Sequence, residues 1–309
     1  METYVVVRVH GLLQHLLKAE DYEALLRGEA LWSLPEYTSI SPEDSVRDFL
    51  SKIDEVMIGR LTFLMKLQSA YTGLITAFAD RLEVENLKVK LRELYSARGK
   101  YDVYSSYSHF IPLEKLLRAE TEEELWELTR ETPYQPEEKG ILEGDLQLKE
   151  AYLDSRYYAY LKASVPRRER KALGELIHLE GLIPAVYWMI VLGSEKVAEL
   201  IEKGILKGFK HPSVRKTSLG NYLATLRVRK EEAERLIEES EISVLMRVLR
   251  SNLLEILRGE ARRAQLASQY LYYYLTLVKN ERDNLQKIVI GQALGLDREK
   301  IRQTLVLPF

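Results

Sequence analysis

Apolar residues recur at helical spacing along most of this chain. Near its end, Leu271, Leu275, Val278, Leu285, Ile288 and Val289 fall mostly three or four positions apart, with slack across a charged turn at 281–283. The pattern predicts a helix closed by Gly295. Its core is Glu281-x-x-Asn284-Leu285, and the same core stands at Glu83-x-x-Asn86-Leu87, in a tail expected to end by Gly99. The two asparagines are 198 positions apart, about twice a ~100-residue domain. A third copy is therefore expected near residue 182. There, Leu179-Glu180-Gly181-Leu182-Ile183 leads into an apolar run to Gly193, without the asparagine and with Pro184 inside the pattern. Upstream of each copy lie a short acidic-apolar helix (12–27, 113–129, 219–249) and a longer aromatic-rich one (49–78, 146–161, 253–278). The period predicts an all-α fold of three similar helical domains, 1–100, 101–205 and 206–309.

In chain order, 4–17 opens on Val5-Val6-Val7 and passes into helical spacing, so it reads as helix with a short strand at 4–9 as the alternative. Ser41-Pro42-Glu43-Asp44 has the composition of a helix start. From there one long helix is expected to 78, with Leu61, Leu64, Leu67, Tyr71, Leu74 and Phe78 on one stripe and bends at Gly59 and Gly73. Loops are expected at 96–111 and 207–218, both as domain boundaries. Beyond 218 the chain reads as helix to the end, with Asp297 capping a last short one.

Composition adds limits. The chain is 46% hydrophobic and 30% charged, enough to bury a core. It has no cysteine, which excludes disulfides and thiol chemistry. The net charge of −2 hides an asymmetry: residues 1–100 carry 13 basic and 15 acidic side chains, 101–205 carry 13 and 20, and 206–309 carry 19 and 12. Opposite charges on separate thirds point to surfaces aimed at different partners or at each other. The longest nearly uncharged run, 181–194, is shorter than the ~20 apolar residues a bilayer requires, so no membrane span is expected. The first residues lack the pattern of a signal peptide, and a chain soluble by itself is expected.

The usual patterns of chemistry are absent. There is no phosphate-binding glycine loop, no dinucleotide fingerprint and no His-Glu-x-x-His. The five histidines are scattered. Asp54, Glu55 and Asp80 read as carboxylates on solvated helix faces. No catalytic residue, cofactor or metal is expected. Tyr270 and Tyr272–Tyr274, with Tyr157, Tyr158 and Tyr160, could stack single-stranded bases, but they surround their helices, and core packing is the favoured reading. The basic group Lys207, Lys210, His211, Arg215, Lys216, Arg227, Arg229 and Lys230 reads first as a solvated loop, next as a patch for a protein partner. Binding of nucleic acid is not expected.

The ordered set of motifs resembles the central-stalk socket family of A/V-type rotary ATPases: the C-type subunit of the archaeal enzyme and its d-type homologue in eukaryotic V-ATPases. The residues that carry the resemblance are Glu281, Asn284 and Leu285; Glu83, Asn86 and Leu87; Tyr4 to Leu12; Leu128-Thr129-Arg130-Glu131-Thr132-Pro133-Tyr134; and Leu148, Tyr152, Leu153, Asp154, Arg156, Tyr157 and Tyr158. The resemblance implies three helical domains in a funnel about a pseudo-three-fold axis, at the cytoplasmic face of a membrane. It implies a non-catalytic socket between the rotating central shaft and the membrane rotor ring, in proton or sodium transport coupled to ATP. The alternatives are an unrelated all-helical adaptor or scaffold and a helical prenyl-transferring enzyme, the latter weakened by the lack of paired carboxylate motifs.

Overall fold

The computed structural model describes residues 2–136, 139–208 and 218–308. Lys210, His211, Arg215 and Lys216 of the basic group lie outside them, while Lys207, Arg227, Arg229 and Lys230 are exposed. The described residues contain helices and no strand, so the protein is all-α and the opening segment is helix. In chain order the helices are α1 (Glu2–Leu13), α2 (Ala19–Leu26), α3 (Val46–Met65), α4 (Thr72–Ala79), α5 (Arg81–Leu94), α6 (Leu113–Arg118), α7 (Glu122–Leu128) and α8 (Lys139–Leu142). They continue as α9 (Leu146–Ala163), α10 (Arg170–Leu192), α11 (Ser194–Leu200), α12 (Leu219–Thr225), α13 (Lys230–Glu238), α14 (Ile242–Arg263), α15 (Ser268–Ala293) and α16 (Arg298–Arg302).

Several expected helices are broken. The 44–78 stretch divides into α3 and α4, because Gln68 takes a left-handed conformation at φ 47° and Ser69 Oγ accepts the Tyr71 N–H at 3.1 Å. Leu61, Leu64, Tyr71, Leu74 and Phe78 are buried all the same. The cap of α3 is Ser45, four residues after the expected Ser41. Ser45 Oγ accepts from Asp48 N at 3.2 Å and Asp48 returns the bond to Ser45 N at 3.0 Å, while Asp44 closes a turn on Ser41 N. The 113–129 stretch divides where Thr121 caps α7. The 219–249 stretch divides into α12, α13 and the start of α14, with Ser240 at φ 60° between the last two. The 253–278 stretch divides at 264–267, so α15 carries both tyrosines and signature, unbroken across 281–283. α5 stops at Leu94, with Ser96 left-handed at φ 55° before Gly99 is reached, whereas Gly295, φ 67°, closes α15 as expected and Asp297 accepts from Glu299 N.

The chain packs into two compact units, Met1–Ile75 with Leu226–Phe309, and Thr76–Thr225. In the first unit α15 packs against α1, α3 and α14. Leu17, Tyr22, Leu25, Tyr37, Ile53, Leu285, Ile288 and Ile301 form its core with their neighbours.

In the second unit α9 packs against α5, α10 and a π-helical turn at Ile201–Ile205. α10 runs unbroken through Pro184. By length and composition alone the segment Arg167–Leu192, longer than the 181–194 run, could cross a membrane, but 61% of its apolar window is buried in the protein, as in a core helix.

The π-helical turn rests directly on α9. A Cβ on Gly204 would lie 1.6 Å from Ser155 Oγ and 2.8 Å from its Cβ. Gly174, inside α10, has nothing within 4 Å. Gly204→Ala is expected to destabilise by roughly 1–3 kcal/mol through overpacking, whereas Gly174→Ala is expected to stabilise by about 0.5–1 kcal/mol by removing backbone freedom from the unfolded chain. Urea unfolding midpoints of the two variants check both signs.

Candidate functional site

Glu and Asn at positions i and i+3 share one face of a helix, and in both copies of the motif that face is buried. On α5, Glu83 Oε1 accepts three successive backbone N–H groups, from His109, Phe110 and Ile111, at 3.0, 2.9 and 2.8 Å. One turn on, the Asn86 amide donates to Ser105 O at 2.9 Å and accepts from Ser105 N at 2.7 Å. Leu87 is fully buried between them and the core. Burial pushes the Glu83 carboxyl up, against the pull of the three N–H groups.

On α15, Glu281 meets a different set of donors. Its Oε2 accepts from Leu17 N at 2.6 Å, and its Oε1 accepts from Tyr37 Oη at 2.6 Å and Arg60 Nη1 at 2.5 Å. Asn284 pairs both ways with Val306, donating to its O at 2.8 Å and accepting from its N at 3.0 Å. Leu285 belongs to the core of this unit. An amide that both donates to and accepts from one backbone residue substitutes for a strand partner, which explains asparagine at these two places.

The middle copy reaches a related result with other residues. Ile183 is buried where the asparagine would stand. The returning chain passes over Gly181, whose absent Cβ would lie 3.1 Å from Ile205 Cγ2. Lys162 Nζ donates to the carbonyls of Gly204, Ile205 and Lys207 at 2.9–3.1 Å, and His178 Nε2 is 3.0 Å from Lys207 O. Burial, with Lys207 nearby, lowers Lys162 to about 7.

Asp154 centres a buried cluster in the second unit. Arg81 Nη1 and Lys88 Nζ reach its Oδ1 at 2.6 and 2.7 Å, and Trp188 Nε1 donates to Oδ2 at 2.7 Å. Arg81 lies over the Tyr157 ring and Lys88 over Trp188. Burial would raise the Asp154 carboxyl, but Lys88 and Arg81 outweigh it and hold it well below the usual range. Tyr157 donates to Phe78 O and Tyr158 to Glu180.

The sequence reading of two carboxylates is corrected here, and the favoured reading of the tyrosines holds. Asp54 and Asp80 are fully buried, not solvated. Asp54 accepts from Arg282 Nε at 2.6 Å and Gln286 Nε2 at 2.8 Å. Asp80 accepts from Tyr107 Oη at 2.7 Å and contacts His109 Nδ1 at 3.0 Å. The tyrosines are core residues: Tyr157, Tyr158, Tyr272, Tyr273 and Tyr274 are all buried. Among the described residues no group of three or more His, Asp or Glu side chains is placed to hold a metal. The partner residues Leu17, Tyr37, Arg60, Arg81, Lys88 and Trp188 carry no motif of their own and were not legible in advance.

The polar signature side chains thus pair within the chain, tying helices to loops or to one another. The chain matches the family described as the ATP synthase (C/AC39) subunit over residues 5–304, and it belongs to that family. Membership makes it a subunit of an A/V-type ATPase, a membrane complex, in a family whose role there is structural. Comparison with individual curated proteins gave no match.

Asn86→Ala and Asn284→Ala are each expected to destabilise by about 1–3 kcal/mol, since each leaves a backbone N–H and carbonyl without partners. Denaturant unfolding measures both, and a change within ~0.5 kcal/mol would mean the bonds contribute nothing. Acid should act through the buried carboxylates. Burial would raise Asp283, but Lys279, Arg250 and Arg282 lower it from 3.8 to about 2. The folded state then binds fewer protons than the unfolded one between those values, so this stability is present above pH ~4 and is lost as pH falls toward 2. The loss from Asp283 is roughly 2 kcal/mol. Asp154 adds in the same direction. Unfolding midpoints at pH 4.5 and 2.5 should differ less in Asp283→Asn than in the parent chain.

Proposed function

We propose that this chain is the non-catalytic central-stalk subunit of its ATPase, seating the rotating shaft on one surface and resting on the membrane rotor ring with another. The observation that carries the reading is family membership across residues 5–304. In this reading the protein transmits torque during proton or sodium transport, at the cytoplasmic face of the membrane, and performs no chemistry. Signature residues engaged on the chain's own backbone support it, because a part that carries torque must resist deformation.

The three segments 1–100, 101–205 and 206–309 form similar domains about a pseudo-three-fold axis. Support comes from the doubly bonded amides of Asn86 and Asn284 and from Lys162 and His178 in the middle copy, each gripping chain 19 to 45 residues further along. The charge asymmetry between the second and third segments favours one docking orientation and faster encounter more than it adds affinity.

The test is co-sedimentation. The isolated chain should bind membranes that contain the rotor ring, more weakly as salt rises, and should not bind protein-free liposomes of the same lipids. Equal sedimentation with both would overturn the reading and favour a lipid-binding role for the basic stretch 207–216.

A further inference from the structure

A cavity of about 370 Å³ opens in the first unit, lined by residues of α1, the link from α1 to α2, α15 and the chain after α16. Its depth is largely apolar: Leu16, Leu17, Tyr22, Tyr273 and Leu277 line it, each at most 9% exposed. Leu13 and Pro308 form half-buried walls. Protein interiors close-pack and leave few voids larger than a water molecule. A space of this size, running from solvent to core side chains, has the dimensions and lining of a small-molecule site.

The polar groups on its wall are few. Glu281 is buried, and its oxygens are taken by Leu17 N–H, Tyr37 and Arg60, so Arg60 balances its charge. His10 is held in place, with Nε2 2.7 Å from Gln265 O and its ring stacked on Tyr270 at 3.7 Å. Gln14 and Lys18 are exposed and mark the mouth. The Lys18 N–H donates to Asp21 at 2.7 Å, but its ammonium enters no ion pair among the described residues. The mouth therefore offers one ammonium above an apolar interior.

We infer that this cavity binds an amphiphilic monocarboxylate, a free fatty acid of medium or long chain. The hydrocarbon chain packs against Leu17, Tyr273 and Leu277, and the carboxylate accepts from the Lys18 ammonium and the Gln14 amide. Charge complementarity selects the head group, since a cationic amphiphile would be repelled by Lys18 and a neutral one would gain no ion pair. The lining selects the chain, because each methylene taken out of water adds to affinity. The inference does not rest on the coupling role.

Calorimetric titration of the full chain with octanoate, below its micelle concentration and at constant ionic strength, tests it. The expected result is saturable one-to-one binding with Kd below about 1 mM. Decanoate should bind about tenfold tighter through its two further methylenes. Lys18→Gln should weaken octanoate at least about threefold and leave octanol unchanged. Leu13→Trp, which fills the half-buried wall, should weaken both. Lys18 is exposed, so its variant stays informative if Leu13→Trp fails to fold. Truncation after Pro308 should leave the affinity unchanged, and binding that appears only on truncation would assign the cavity to the chain's own end and overturn the inference. Absence of octanoate binding below about 10 mM, or equal affinity for octanoate in Lys18→Gln and the parent chain, would overturn it as well.

Discussion

Glu281 is a carboxylate with almost no access to water, and a buried carboxylate persists only if its oxygens are answered. Here the answers come from Leu17 in the link between α1 and α2, from a turn at Tyr37 and from Arg60 on α3. None of these is near Glu281 in the chain. The first unit therefore closes as one piece: its N-terminal segments and α15 must be in place together, or the charge is stranded. Asp54 with Arg282, one residue further along α15, repeats the demand. Apolar contacts from Leu285 and Ile288 supply most of the burial, and the ionic contacts make the arrangement specific.

The second unit meets the same constraint in a different way. Glu83 is answered by three peptide N–H groups of one loop, Asp80 by Tyr107 and His109 of that loop, and Asp154 by two cations and an indole. The loop before α6 has no regular structure of its own. It is held as a shaped element because polar side chains of α5 take the place of a neighbouring strand or helix. The π-helical turn over Gly181 and Gly204 is held by the Lys162 ammonium for the same reason: carbonyls at a helix end need donors.

In the central-stalk role proposed above, these devices would act through stiffness. A protein placed between moving parts transmits force only as far as its loops are fixed to its helices, and here the fixing groups are charged, buried and paired.

The sequence by itself determined the helical class, the Glu-x-x-Asn-Leu recurrence, the glycine that ends α15, the Asp297 cap and the family, because periodicity and local capping are written in neighbouring residues. Only the tertiary structure decided where the long helices break. Gln68, Ser96 and Ser240 take left-handed conformations that a glycine would have announced and these residues do not. It also decided which carboxylates are buried. Asp54 and Asp80 look solvated in any local window, because the arginine or histidine that answers them arrives from 29 to 228 positions away. Spacing along a helix records which side is apolar and says nothing about which distant charge will meet it.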